Sequence, residues 1–270
     1  MAKGNDGNYL QHSIEIAVAW QLVSRTAGNH LHIALTHGMA PYEPTGRVPN
    51  GQTKAQLFGA LAQSRNRRLD GEAPIISAYR ASNANLNQYP NTGELLASVI
   101  GRNCLAGGIT ETDPDKQAQL KTVWGGSNVN ISSRSWRLET TFDGVLSCPE
   151  ALSMPWLFSS DPMTYHEQGE ADDDQLYRAD FDRLADVLTR YGETGKPGAA
   201  CLFVYSVRPR VRPLFWSFAE ELAGNLGADL TTAWMTHQGG NRNLAAILSF
   251  AAVLPPGWLP EGVSIGRGAA

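Results

Sequence analysis

Apolar and polar positions alternate with two different periods along the chain, and the change of period marks its elements. Leu10, Ile14, Val18 and Leu22 recur at helical spacing, which predicts a helix over residues 10–27. "HLHIALTHG", residues 30–38, is a short apolar run ending in glycine and predicts a buried strand. The prolines and glycines of residues 39–51 predict a loop, followed by a helix over 53–69 and a strand over 74–79. "TGELLASVIGRN", residues 92–103, predicts a helix with Thr92 as its cap. A strand over 105–113 reaching Glu111 comes next, then a helix over 115–124 and a strand over 135–144 ending near Asp143.

The second half repeats the pattern. Trp156 to Ser159 reads as a strand, and "SSDPMTY" after it ends that strand on Asp161. Phe181, Leu184, Val187, Leu188 and Tyr191 mark a helix, and "AACLFVYSV", residues 199–207, is the most apolar strand of the chain. A helix over 214–226 leads to strands over 229–237 and 244–252, joined by "QGGNRN". That turn favours an antiparallel hairpin, with Gly239, Gly240 and Asn241 available for unusual dihedrals. Strands alternating with helices predict an α/β fold, a mostly parallel sheet with helices on both faces and a C-terminal antiparallel hairpin.

Composition narrows this picture. A chain of 270 residues can bury one large core, and we read it as a single domain in which residues 39–89 form an irregular or helical cap over the cleft. A formal net charge of −4 gives no general attraction to nucleic acid. Cys104, Cys148 and Cys201 stand far apart without a CxxC pair, which argues for a reducing compartment and against a thiolate zinc site. No metal-ligand spacing such as HExxH occurs, so no metal is expected. No apolar stretch approaches the ~20 residues of a membrane span, and the expectation is a cytoplasmic protein with no membrane partner. Oligomeric state is left open.

Several short motifs, in order, resemble the bacterial ribosomal-RNA adenine-N6 methyltransferase family that acts on the large-subunit RNA. "NYLQHSIEIAV" resembles its amino-terminal segment, with Gln11, His12 and Ser13 where Lys-His-Thr is usual. "ALTHGMAPYEP" resembles its glycine-rich first motif: Thr36, His37 and Gly38 match, and Leu35 replaces an acid. "YPNTGELLA", Asp143-Gly144, "SSDPMTY" and the final "NRNLAAILSFAAVLPPGW" resemble further elements of the family. In "SSDPMTY", the family's Asp-Pro-Pro-Tyr has become Asp161, Pro162, Met163, Thr164, Tyr165.

The resemblance implies a class I methyltransferase-like (Rossmann-like) fold and S-adenosylmethionine as cofactor. It implies cofactor contacts from His37, Gly38, Glu111, Asp143 and Gly144, and catalytic roles for Asp161 and Tyr165, with Met163 and His166 beside them. An amine nucleophile must be held in line with an electrophilic methyl, and a carboxylate suits that task.

The residues themselves leave alternatives. Asp161 before a proline also suits a structural cap; Glu111 suits an exposed loop acid; Asp143 before Gly144 suits a turn. His166 suits a general base or a polar loop residue. Arg208 and Arg210, with Arg212, alternate with Pro209 and Pro213 in what reads as an extended segment. They suit a carboxylate or phosphate contact or a solvated face. Trp124 and Trp156 read as packing residues. The acid-rich stretch from Glu167 to Glu193 follows the catalytic motif directly and would repel a phosphate backbone, which disfavours nucleic acid.

The expected substrate is therefore an amine-bearing small molecule or nucleotide. Adenine-N6 methylation of RNA or DNA is the nearest alternative. A binding or scaffold protein on the same fold is the third.

Overall fold

The computed structural model describes residues 6–26, 28–36, 78, 81, 90–134, 153–161, 164–166, 175–236, 240–251 and 263–267. Helix α1 (Asp6–Ser24) leads to strand β1 (Leu31–Leu35). Then follow α2 (Thr92–Ile100), a 3₁₀ turn (Arg102–Cys104), β2 (Leu105–Thr110), α3 (Pro114–Trp124) and β3 (Asn128–Ser132). The later elements are β4 (Trp156–Ser160), β5 (Thr164–His166), β6 (Gln175–Tyr177), α4 (Arg178–Glu193), β7 (Gly198–Val207), α5 (Arg212–Leu226), β8 (Asp229–Thr236), β9 (Arg242–Ser249) and β10 (Ser264–Arg267). The predicted helix over 53–69 and the predicted strand over 135–144 lie outside the described residues, as does the predicted strand over 74–79 except for Ala78, which is helical rather than extended and is buried.

Eight strands form one sheet in the order β10-β8-β9-β7-β4-β1-β2-β3. Strands β3, β2, β1, β4 and β7 run parallel, while β9 is antiparallel to both β7 and β8. Successive strands leave β1 in one direction through β2 and β3, and in the other through β4 and β7. The order therefore reverses between β1 and β4, where the carboxyl ends of open α/β sheets bind ligands. This is a Rossmann-like, mostly parallel sheet flanked by helices, with the predicted hairpin formed by β8 and β9. Strand β10, which the sequence pattern does not announce, extends it by pairing with β8.

The sheet divides the core into two layers. On one face, α1, α2 and α3 pack against Ile33, Leu157, Cys201, Phe203 and Ile247. On the other, α4 and α5 cover Phe158, Leu202, Val204, Leu244 and Leu248. Alternate residues of β7 serve the two layers, which is why that strand reads as a continuous apolar run. Trp124 and Trp156 are both packing residues.

Two glycines show how tightly the central strands approach their neighbours. A Cβ on Gly198 would stand 1.9 Å from the Trp156 ring. Gly107 has φ +119°, and a Cβ there would meet the Ile33 carbonyl oxygen at 2.0 Å. Only glycine fits without displacing the Trp156 ring at the first site or the β1 backbone at the second.

Some local expectations need correction. Helix α1 begins at Asp6 and is buried on nearly every side, because it lies against the sheet and also meets α2; Ile16, Ala17, Ala19 and Val23 are buried beside the predicted stripe. The cap of α2 is Asn91, whose side chain accepts from the Glu94 amide at 2.8 Å, while the Glu94 carboxylate accepts from the Asn91 amide at 3.0 Å. Thr92 is the first helical residue instead, and its hydroxyl turns to α1. Strand β2 stops at Thr110, one residue before Glu111.

Candidate functional site

The carboxyl ends of β4 and β7 and the first residue of α2 meet the amino-terminal half of α1 in a connected set of polar side chains. Ser159 and Asp161 share the α1-facing side of β4, as alternation requires. Tyr205, near the end of β7, faces the same way and is buried in the α1 layer. Its hydroxyl donates to Asp161 Oδ1 and also lies 3.2 Å from Gln11 Oε1. One phenolic hydrogen cannot serve both acceptors fully, and the carboxylate takes the shorter contact.

Gln11 carries the network inward. Its amide nitrogen donates to Glu15 Oε1 at 3.2 Å and to Thr92 Oγ1 at 3.3 Å. The Thr92 hydroxyl in turn donates to Glu15 Oε2 at 2.7 Å, and the Ser159 hydroxyl donates to Glu15 Oε1. Glu15 is fully buried one turn below Gln11. Burial raises its pKa to about 7, against the lowering effect of the hydrogen bonds from Ser159, Thr92 and Gln11. A carboxylate taken out of water prefers its neutral form, and three donors only partly replace the lost solvation.

Asp161 is half-buried at the mouth of this network. No helix follows it among the described residues: the next element is β5, so the helix-capping reading is replaced by a strand-end carboxylate held by Tyr205. Tyr165 and His166 belong to β5, whose backbone pairs in parallel with Leu176 and Tyr177 of β6. Met163, His37, Gly38, Asp143 and Gly144 lie outside the described residues.

Glu111 directly follows β2 and is buried, so the exposed loop acid is also corrected. Its Oε1 accepts from the Asp113 amide at 2.9 Å, and its backbone carbonyl accepts from Gln117 Nε2 at 2.6 Å. Glu111 is thus fixed at the carboxyl end of β2 by the first turn of α3. The neighbouring strand ends are tied together by the Thr110 hydroxyl, which donates to the Thr36 carbonyl.

Arg208 and Arg210 are exposed, and their segment is not extended. Residues 208–211 form a turn in which the Arg208 carbonyl accepts from the Val211 amide at 3.0 Å, and Arg212 opens α5. The helical preference of "VRPLFW", with Pro213 suited to the first turn, overrides the Arg-Pro alternation.

Of the expected site residues, the structure therefore places Asp161 and Glu111 at carboxyl ends of parallel strands. The Asp161 network contains Glu15, Thr92, Ser159 and Tyr205, for which the sequence reading assigned no site role. A signal for Glu15 existed: it stands between two isoleucines and is the one Asp, Glu, Lys or Arg of α1 after Asp6, an informative buried polar residue. Among the described residues, no three His, Cys, Asp or Glu side chains gather as a metal site would need, and no helix is long and apolar enough to cross a membrane.

No protein-family model matches the chain, and no curated protein matches it. Among solved structures, it resembles protein LPL1258 from Legionella pneumophila, family model DUF519, with a TM-score of 0.58 and 12% identity over 98% of this chain and 99% of that one. At that identity the likeness is one of fold. Magnesium protoporphyrin IX methyltransferase from Synechocystis, solved with bound SAH, matches at a TM-score of 0.30 and 7% identity over 76% of this chain and 88% of that one. A score that low carries no argument by itself.

Proposed function

We propose that this protein transfers a methyl group from S-adenosylmethionine to an amine-bearing small molecule or nucleotide, with Asp161 orienting the amine. The observation that carries the reading is the placement of Asp161. It ends β4 beside the reversal of strand order and is held by a hydrogen bond from Tyr205.

Glu111 fits the cofactor in chemistry and position. A buried carboxylate after β2, steadied by the Asp113 amide, suits acceptance of two ribose hydroxyls. His37, Gly38, Asp143 and Gly144 are proposed to complete that seat. When bound, the cofactor supplies an electrophilic methyl on a sulfonium.

Asp161 then accepts a hydrogen bond from the acceptor amine and directs its lone pair at that methyl. As nitrogen gains positive charge, the carboxylate stabilises it, and Tyr205 keeps the carboxylate from turning away. Tyr165, Met163 and His166 are proposed to line the acceptor side. Ser159 and Gln11 keep the floor beneath Asp161 rigid through Glu15.

Calorimetry with S-adenosylmethionine and S-adenosylhomocysteine tests the reading. Well-folded protein that binds neither, across several buffers, overturns it. Asp161→Ala is expected to retain cofactor binding and lose turnover, whereas Glu111→Ala is expected to weaken binding first.

A further inference from the structure

Strand β7 does not run straight to its end. Its pairing with β9 shifts register between Val204 and Val207, and Ser206 adopts φ +52°, a left-handed conformation uncommon for a residue with a side chain. The Ser206 amide donates to Asn243 Oδ1 at 3.0 Å, and Asn241 Nδ2 donates to the Ser206 hydroxyl at 3.3 Å. The bulge brings Val207 opposite Arg242, the first residue of β9, immediately beyond Tyr205.

Arginines collect there. Arg212 donates through Nη2 to the Gly240 carbonyl and through Nε to the Val207 carbonyl at 3.4 Å, which fixes its guanidinium between the end of β7 and the β8–β9 turn. The Arg242 guanidinium lies over the Trp234 ring, 5.4 Å from its centroid. Partial burial, and then the charge of Arg242, lower the pKa of Arg212, so the two cations feel each other. Arg208 and Arg210 are exposed on the adjoining turn.

Among the described residues none of these four arginines has a carboxylate partner, whereas Arg178 reaches Asp182 at 3.5 Å and Glu221 at 3.4 Å. Helix α5 also begins here without a side-chain cap, adding partial positive charge of the same sign. Like charges fixed together without an acid are a cost that a bound anion relieves.

We propose that Arg212 and Arg242 form a seat for a compact phosphate group, with Arg208 and Arg210 at its margin. The seat lies on the carboxyl edge of the sheet that also carries Asp161, but on its α5 side, whereas Asp161 faces α1; a methyl acceptor that reaches both across that edge is a phosphate-bearing amine. That last step rests on the methyl-transfer reading; the anion seat does not. Arg212, with two donors committed to carbonyls, is the rigid half of the seat, and Arg242, stacked on Trp234, is the adjustable half.

The test is calorimetry with inorganic pyrophosphate at low ionic strength and without cofactor, followed by cofactor titration of the same preparations. Wild-type protein is expected to bind pyrophosphate, and Arg242→Gln to weaken it about tenfold, the loss of one charge-assisted contact. Arg242→Gln removes no hydrogen bond to the chain, so it is the fold-safe variant. Arg212→Lys keeps the charge but loses the fork and is expected to weaken binding too. Arg178→Gln, outside the cluster, is expected to change nothing.

Absence of pyrophosphate binding by folded wild-type protein overturns the seat, as does an equal loss in Arg178→Gln. Tighter binding of a single-stranded oligonucleotide, also lost in Arg242→Gln, overturns the compact ligand in favour of a nucleic-acid backbone. Pyrophosphate binding without cofactor binding upholds the seat and sinks methyl transfer; the reverse result sinks the seat alone.

Discussion

Tyr205 donates its phenolic hydrogen to Asp161 Oδ1, joining the ends of the adjacent strands β7 and β4. Neither residue can be repositioned alone. Tyr205 is aimed by the alternation of β7, which puts it with Cys201 and Phe203 in the α1 layer, and Asp161 by the register of β4 against β1 and β7. The contact leads inward through Gln11 to the buried Glu15.

Replacing Tyr205 with Phe keeps the ring in the α1 layer and removes the donor. Turnover is expected to fall about 10- to 100-fold with cofactor affinity unchanged, as expected for a misplaced orienting group. The same variant is expected to lose about 0.5–1.5 kcal/mol in urea unfolding. Unchanged turnover would remove the positioning role of Tyr205.

Glu15 makes stability depend on pH. Its folded pKa of about 7 lies above the ordinary carboxylate value of 4.5, so the folded state binds the extra proton between those values. Stability from this group is full below pH 4.5 and is lost as pH rises through 7. Glu15→Gln removes that loss, and it is expected to be more stable than wild type at pH 8 by about 1–3 kcal/mol. At pH 5 the gain is expected to shrink; denaturant titrations at the two pH values measure it.

His32 slopes the other way. Burial lowers its pKa to about 4 from 6.5, and its Nε2 lies 2.9 Å from the Tyr191 hydroxyl. The unfolded chain binds the proton first, so stability falls as pH drops from 6.5 to 4. The windows of Glu15 and His32 overlap, and their effects offset each other in wild type. Glu15→Gln is therefore expected to expose a steeper acid loss below pH 6.5 than wild type shows.

Gly107→Ala is expected to destabilise the fold by about 3 kcal/mol or more, because it combines a left-handed φ with a backbone clash. The added Cβ has no flexible neighbour to displace: the obstacle is the Ile33 carbonyl, 2.0 Å away. Thermal unfolding of the variant measures the effect, and a melting temperature within a few degrees of wild type would contradict this packing of β1 on β2.

Periodicity alone determined β1, β2, β4 and β7 of the parallel half of the sheet, but not β3, where only Val129 is buried. The runs at β1, β4 and β7 are apolar on both faces, and a strand buried on both sides must be so. The glycines and polar residues of "QGGNRN" likewise specified the β8–β9 hairpin through local dihedral preference. Asp161 and Glu111 were legible because a carboxylate just past an apolar strand stands out. Tertiary structure decided the rest. The hydroxyl of Tyr205 sits in an apolar run, where no period distinguishes a packing ring from a donor, and only the pairing of β7 with β4 sets it beside Asp161. Glu15, Thr92 and Ser159 come from three separate stretches of the chain and meet because α1 lies across the sheet. Arg212 and Arg242, 30 residues apart, become neighbours through the antiparallel return of β9. Local sequence carries conformational preference, whereas the distances between polar groups are set by which strands pair and in what register.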